Sequence, residues 1–458
     1  GVLAYYNLLC TNQRYQLYLQ SNLCQHIGDW LAYIASLLAM ERLLPGSSTA
    51  ISGLVAMRMI PNILFASLGG VIADSFDRRM AMITLDFIGA FVVLFYLVAL
   101  YVESASMLFA VSFARGTIAA LYEPITRSIV PQLLPDEQDL QRSVVLSGIA
   151  WSSMLISGGV VAGYVGAYLG IEACYILDSF SYCVSALLMW NVWGKFNVAA
   201  GEAPIEKELE NVGFSICETT TTIFSLFLLF KPILKFLFKM LELVKYVWVC
   251  SFGILLVMKS SGSFTWGAAD VVNVSFTQVE GDEKASSERL GLLYSSVGLG
   301  CLLGPLVANY FTDIKEPETL QLACILALAL MVVGWFGIAL VGSFHWICFF
   351  TSVRSFGSAI IWINSTLLLQ KLVPKKILGR VLGLDFGFAM TCETIAAFIA
   401  GLLEDAKYTN RDISLSACVA GAILTLFWII NHEMERGVAN KSNIESSDNE
   451  EEYEVTIT

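Results

Sequence analysis

About twelve stretches of this chain are apolar for roughly 20 residues each, the length a helix needs to cross hydrocarbon about 30 Å thick. In lipid every backbone N–H and C=O must be satisfied within the segment, so runs of this kind fold as helices. The spans read as 22–43, 50–73, 80–102, 105–128, 143–169 and 172–193, then 246–276, 289–312, 317–341, 344–370, 378–404 and 412–431. The composition, 56% hydrophobic and 14% charged over 458 residues, is that of a polytopic helical membrane protein rather than of a soluble one.

Six spans, an interruption and six more predict an all-α protein of two six-helix bundles. A short segment, 1–21, precedes them, and an acidic tail, 432–458, follows. The chain begins at Gly1, and a preceding segment is expected to have been removed or omitted. The tail includes Glu445-Ser-Ser-Asp-Asn-Glu-Glu-Glu452 and is expected to be disordered. It contributes much of the net charge of −12, which excludes nucleic acid as a partner. The interruption, 194–245, starts polar and then carries Lys231, Lys235 and Lys239 at every fourth residue among Phe227, Phe230, Phe236 and Phe238. That spacing predicts a surface helix lying in the membrane interface, with its lysines toward anionic lipid headgroups.

Orientation follows from the basic residues. Arg78, Arg79, Arg127, Arg142, Lys207, Lys315, Lys371, Lys375, Lys376, Arg380 and Arg436 fall on one side of this topology. The other side holds mainly Lys284, Arg289, Lys407 and Arg411, diluted by Glu280, Asp282, Glu283 and Glu404. The positive-inside rule then places both termini and the middle segment in the cytoplasm or its topological equivalent. The plasma membrane is the favoured location; an organelle envelope, such as a plastid's, is the alternative.

The 11 cysteines have no CxxC spacing and lie mostly within apolar runs, so neither a disulfide framework nor a metal or other cofactor is expected. No nucleophile–base set or phosphate-binding loop is present, which argues against an enzyme and against a pump driven by ATP.

Ionisable residues inside spans cost about 2.5–3.5 kcal/mol each on insertion scales, so each needs a partner or a task. Arg115 in span four and Arg354 in span ten lie near the midplane. Arg58 in span two, Lys259 in span seven, Asp29 in span one and Glu393 in span eleven complete the set. Together the four cations predict an electropositive cavity for an anionic or amphiphilic solute, with Asp29 or Glu393 taking a coupling proton. The plainer reading is that Asp29 or Glu393 pairs with an arginine and ties helices together. Asp86 and Asp178 are ambiguous. Lys259 stands in Lys-Ser-Ser-Gly-Ser-Phe-Thr, a stretch that permits a break in span seven.

The halves also repeat. Arg115 precedes Pro135 and Arg354 precedes Pro374 by the same 20 positions, and a basic residue, Arg142 or Arg380, follows each proline. Gly69-Gly-Val-Ile-Ala-Asp-Ser-Phe76 lines up with Gly304-Pro-Leu-Val-Ala-Asn-Tyr-Phe311.

Between spans two and three runs Gly70-x-x-x-Asp74-x-x-x-Arg78-Arg79, which resembles the signature loop of the major facilitator superfamily of secondary transporters. Gly28-Asp29-Trp30, Arg58-Met-Ile-Pro61, Asp77-Arg-Arg79 and Pro124-x-x-Arg127-x-x-x-Pro131 are similar to the branch containing the enterobactin exporter and macrolide efflux pumps. The similarity covers most of 15–193 and, more weakly, 246–405. It ends at the 194–245 segment and the tail, and span five lacks the proline that drug/proton antiporters often place there.

The resemblance implies pseudo-symmetric bundles with a midplane cavity at their interface, rocking between two open faces. It also implies a cytoplasmic latch made of Gly70, Asp74, Arg78, Arg79, Arg127 and Arg380. In it Asp74 accepts from Arg127 and from the amino terminus of span eleven. The function expected is alternating-access transport of a small organic solute, with proton-coupled export, by a monomer. A metal exporter of ferroportin type is the second expectation, because ferroportin also begins with a Gly-Asp in span one. It requires soft or imidazole ligands within the bundle, and His26, His345 and His432 fall at span edges or in the tail. A non-transporting scaffold or receptor is the third.

Overall fold

The computed structural model describes residues 2–194, 196, 253–312, 316–373 and 378–455. Within its helices the side chains of 2–5, 66, 67, 70, 71, 74, 75, 137, 141, 144, 309, 378–380, 435 and 437–455 are not among the described ones. The expected interfacial helix of 194–245 therefore lies outside the described residues, apart from Gly194 and Phe196.

All regular structure among the described residues is helical. A short α1 (Val2–Thr11) leads into α2 (Gln13–Leu43), α3 (Ser48–Ser75), α4 (Arg78–Tyr101), α5 (Ala105–Leu133), α6 (Glu137–Leu169) and α7 (Ile171–Trp190). The second half holds α8 (Leu256–Trp266), α9 (Ala269–Thr277), α10 (Glu283–Phe311), α11 (Pro317–Leu340), α12 (Phe344–Leu372), α13 (Leu378–Asp405) and α14 (Asn410–Val455). Ten helices are long and apolar enough to cross a membrane. Polar α2 and the consecutive short helices α8 and α9 make up the other two of twelve spans. The ends of the molecule are named here after the orientation expected from the basic residues: the α2–α3 loop is outer and the α3–α4 loop inner.

The turns follow from their chemistry. Asn12, Asp77, Ser104, Asp136 and Asp282 precede α2, α4, α5, α6 and α10. Each side chain accepts a backbone N–H from the first turn, satisfying a donor the helix cannot. Gly170 joins α6 to α7 at φ +90°, a left-handed conformation costly for any residue with a Cβ.

Helices within each half approach through glycine, as expected where lipid offers no hydrophobic drive to association. A Cβ on Gly69 of α3 would lie 2.7 Å from the Leu121 carbonyl oxygen of α5. In the other half, a Cβ on Gly304 of α10 would lie 2.5 Å from that of Phe356 in α12. The two glycines matched by the sequence repeat thus make the same helix-to-helix contact in their own bundles.

Three expectations change. Span one reaches back to Gln13, so His26 lies midway along α2 rather than at a span edge. The break in span seven falls at Gly267, after the serine-rich stretch. There the α13 backbone comes within 2.5 Å of where a Cβ would stand, at the Glu393 carbonyl oxygen. And α14 runs without interruption through the acidic tail to Val455. A helix already nucleated by a span needs only propagation to continue.

Candidate functional site

Arg115 of α5 is buried between two carboxylates. Its Nη2 donates to Asp29 of α2 and stands 3.2 Å from Asp178 of α7. The Tyr182 hydroxyl of α7 donates to Asp29 at 3.3 Å, and His26 Nδ1 lies 3.7 Å from the other Asp29 oxygen. Gly28 explains how Asp178 enters, since a Cβ there would lie 2.3 Å from its Oδ1. The Gly-Asp pair of span one therefore has two tasks: Gly28 admits one carboxylate and Asp29 supplies the other.

Lys259 of α8 donates to Asp385 of α13 and, at 2.8 Å, to the Thr366 hydroxyl of α12, beneath the Trp362 ring. Arg354 of α12 is 0% exposed and lies between the rings of Trp266 and Trp335, 4.7 and 4.3 Å from their centroids. None of its three guanidinium nitrogens has a hydrogen-bond partner among the described residues. Two of the expected midplane cations are thus neutralised by carboxylates, and the third is clamped between aromatic faces.

Arg58 differs. It makes no ion pair among the described residues, and its guanidinium lies over the Tyr33 ring at 4.2 Å. Tyr33 and Trp30 of α2 meet Tyr294 of α10 at 5.8 and 6.0 Å between centroids, an aromatic bridge across the seam between halves. Tyr294 donates to Asp270 of α9 at 2.6 Å. Glu393 is half-buried and, among the described residues, has neither a hydrogen bond nor an ion pair; the charges of Asp270 and Arg58 reach it.

The seam is sealed toward the outer end. Gly159 and Gly163 of α6 sit against Gly291 of α10 so closely that a Cβ on Gly291 would be 2.5 Å from the Gly159 carbonyl oxygen. Ser287 and Ser295 of α10 donate to the Gly163 and Ile156 carbonyls at 2.9 and 2.8 Å. On the opposite flank Gly401 of α13 abuts the Ser48 carbonyl at 2.7 Å, and Asp405 accepts from the Ser48 and Thr49 N–H groups. Toward the inner end, Cβ positions on Gly148 of α6 and on Gly383 and Gly387 of α13 meet no described atom within 4 Å.

Of the latch residues, Arg78 donates to the Ala73 and Ser128 carbonyls at 3.0 and 3.2 Å, and Arg79 to that of Val192 at 2.6 Å. These bonds staple α4 to its own half. Arg127 pairs with Glu123 one turn away, at 2.8 Å. The side chains of Asp74 and Arg380, and Gly70, are outside the described ones. Asp77 also accepts from the Phe196 N–H at 3.1 Å, returning the start of the middle segment to α4.

Two rigid halves, a polar layer at their seam and closure at one end are the parts of an alternating-access carrier. The family model described as Major Facilitator Superfamily matches residues 21–401. The chain belongs to the major facilitator superfamily. It is a multi-pass membrane transporter and not an enzyme. Among its relatives is an uncharacterized MFS-type transporter of Bacillus subtilis (strain 168), YkuC, 24% identical over 78% of this chain and 77% of that one.

The fold is also that of solved superfamily structures. A POT family transporter in complex with 5-aminolevulinic acid aligns with TM-score 0.66 at 13% identity, over 92% of this chain and 96% of its own. An inward-facing bacterial homologue of the iron transporter ferroportin aligns with TM-score 0.61 at 15% identity, over 91% and 98%. Among the described residues, no group of three or more His, Cys, Asp or Glu is arranged to hold a metal ion.

Sequence reasoning missed Asp385, Asp270 and Asp405 and left Asp178 ambiguous. A lysine inside a span requires a counter-charge, and α13 offers Asp385 one turn and a half of helix before Met390. That requirement was the available signal.

Proposed function

We propose that this transporter moves an anionic or amphiphilic organic solute by alternating access, coupled to protons and running as an exporter. The observation that carries the reading is the contrast between charges partnered within their own half and charges left without an ion pair. Arg115 and Lys259 are occupied by carboxylates. Among the described residues Arg58 lies over an aromatic ring without an ion pair, and Glu393 has no cation bonded to it. A solute carboxylate or phosphate can therefore bind Arg58 without displacing a protein group. Trp30, Tyr33 and Tyr294 offer its apolar part a surface. Glu393 suits the proton, because neutralising an unpaired, half-buried carboxylate lowers the cost of moving it between environments.

The export direction draws on the motifs shared with the enterobactin-exporter and macrolide-pump branch. The plasma membrane is the natural site for such a carrier, and a single chain contains both halves of the seam, so a monomer suffices. In the outward-open form, Asp74 meets the start of α13 near Arg380 and completes the inner latch.

The test is solute flux in proteoliposomes under an imposed pH gradient, screened over organic anions and amphiphiles. A transported anion is expected to lose uptake in Arg58→Gln. In Glu393→Gln, exchange persists while gradient-driven accumulation disappears. Flux of every solute independent of the gradient, or an Arg58→Gln protein that carries the anion normally, overturns the reading.

A further inference from the structure

A second carboxylate without a cation lies deep in the first bundle, away from the seam. Asp86 of α4 is 0% exposed. Its Oδ2 accepts from the Ser185 hydroxyl of α7 at 2.8 Å, and Ser185 in turn lies 2.8 Å from the Ser21 hydroxyl of α2. Both serines are 0% exposed. The other oxygen, Oδ1, has no hydrogen-bond partner among the described residues. Tyr122 on α5 faces the same carboxylate. Four helices thus converge on one acidic group and bring it oxygen atoms only.

The charged and titratable groups facing Asp86 are few. From α2 the charge of Asp29 reaches it; from α5 comes Tyr122; from α7 come Tyr182 and Ser185. None is a cation. A buried carboxylate with no counter-ion among the described residues is relieved of an uncompensated charge when it takes up a proton.

The groups between Asp86 and Asp29 are carried by one helix. Asp178, Tyr182 and Ser185 follow at i, i+4 and i+7 along one face of α7. Tyr182 donates to Asp29, a quarter of whose side chain is exposed, and its ring packs where a Cβ on Gly89, one turn beyond Asp86, would lie 2.9 Å away. Tyr182 thus has its hydroxyl on the partly exposed Asp29 and its ring beside the helical turn that follows Asp86.

We propose that Asp86 is a proton-binding site of this transporter, reached from the side of the partly exposed Asp29. The step moves one proton and nothing else. A proton leaves cavity water, the Asp86 carboxylate gains an O–H bond, and one negative charge inside the bundle is removed. This site is separate from Glu393 and does not depend on which solute the protein carries.

The experiment is infrared difference spectroscopy of the full chain in lipid, titrated between mildly acid and mildly alkaline pH. Wild type is compared with Asp86→Asn, Glu393→Gln and Ser185→Ala. The expected result is a protonated-carboxyl band that titrates, is absent from Asp86→Asn, persists in Glu393→Gln and has a displaced midpoint in Ser185→Ala. Loss of the band only in Glu393→Gln, or an Asp86→Asn spectrum equal to wild type, overturns the proposal. So does an Asp86 band unchanged across the titration, which would mark a permanently protonated structural group. Should Asp86→Asn fold poorly, the Ser185→Ala displacement still decides the matter. Failure of anion transport in liposomes leaves these spectra unaffected, so the two readings stand or fall separately.

Discussion

The Asp405 carboxylate at the end of α13 accepts the backbone N–H of Ser48, in the first turn of α3, at 2.8 Å, and its second oxygen accepts that of Thr49 at 3.1 Å. The cap crosses from one half to the other at the outer end, where no side chain of α3 satisfies those donors. The inner latch implied by the signature loop has the same form with the helices exchanged, an aspartate closing α3 facing the start of α13.

Replacing Asp405 with alanine removes a cap worth about 1 kcal/mol, so the outward-open population rises roughly fivefold. Spin labels at Leu44 and Lys407, on the loops flanking this contact, report it as a longer-distance component. An unchanged distance distribution refutes the gating role of this cap.

Gly291→Leu jams the other flank. A Cβ alone would stand 2.5 Å from the Gly159 carbonyl oxygen, and backbone cannot yield as a flexible side chain does. The variant is expected to hold the outer end open and to lose transport. Gly148→Ala, where no described atom lies within 4 Å, is the control and keeps transport. Labelling of an outer-seam cysteine by an impermeant thiol reagent distinguishes the two.

Arg115→Gln leaves Asp29 and Asp178 facing each other without their shared cation. A loss of about 3–5 kcal/mol is expected, the range for stripping one partner from a buried pair. Adding Asp178→Asn to that variant restores part of the loss. Thermal unfolding in detergent checks both statements, and an Arg115→Gln protein as stable as wild type would falsify the pairing as a structural element.

Arg354→Met is expected to keep or raise thermal stability. The guanidinium makes no hydrogen bond among the described residues, so methionine removes a desolvated charge while filling the slot between the rings. The opposing term is the cation–π attraction, about 1–2 kcal/mol. A fall in melting temperature larger than that attraction explains would mean that the charge has a partner it meets in another state.

The number of spans and their grouping into halves were legible from apolar run length and from the repeat. Membrane hydrocarbon imposes its thickness directly on sequence, which makes these features readable. The partners of the charges were not. Asp385 meets Lys259 across 126 positions, and Asp29 meets Arg115 across 86. Such pairings depend on helix rotation, which hydropathy does not encode. The Gly28-Asp29 step drew notice as a motif, yet its physical reason, room for Asp178, belongs to a helix some 150 residues away.

The interruption at Gly267 has a mechanical corollary. The seventh span is two short rods with a joint, whereas its counterpart in the first half, α2, is a single unbroken beam of 31 residues. Bending is cheaper at a joint than along a continuous rod. The twins should therefore move unequally: when the inner side shuts, the carboxyl-terminal unit flexes at this elbow while the amino-terminal unit swings as a block.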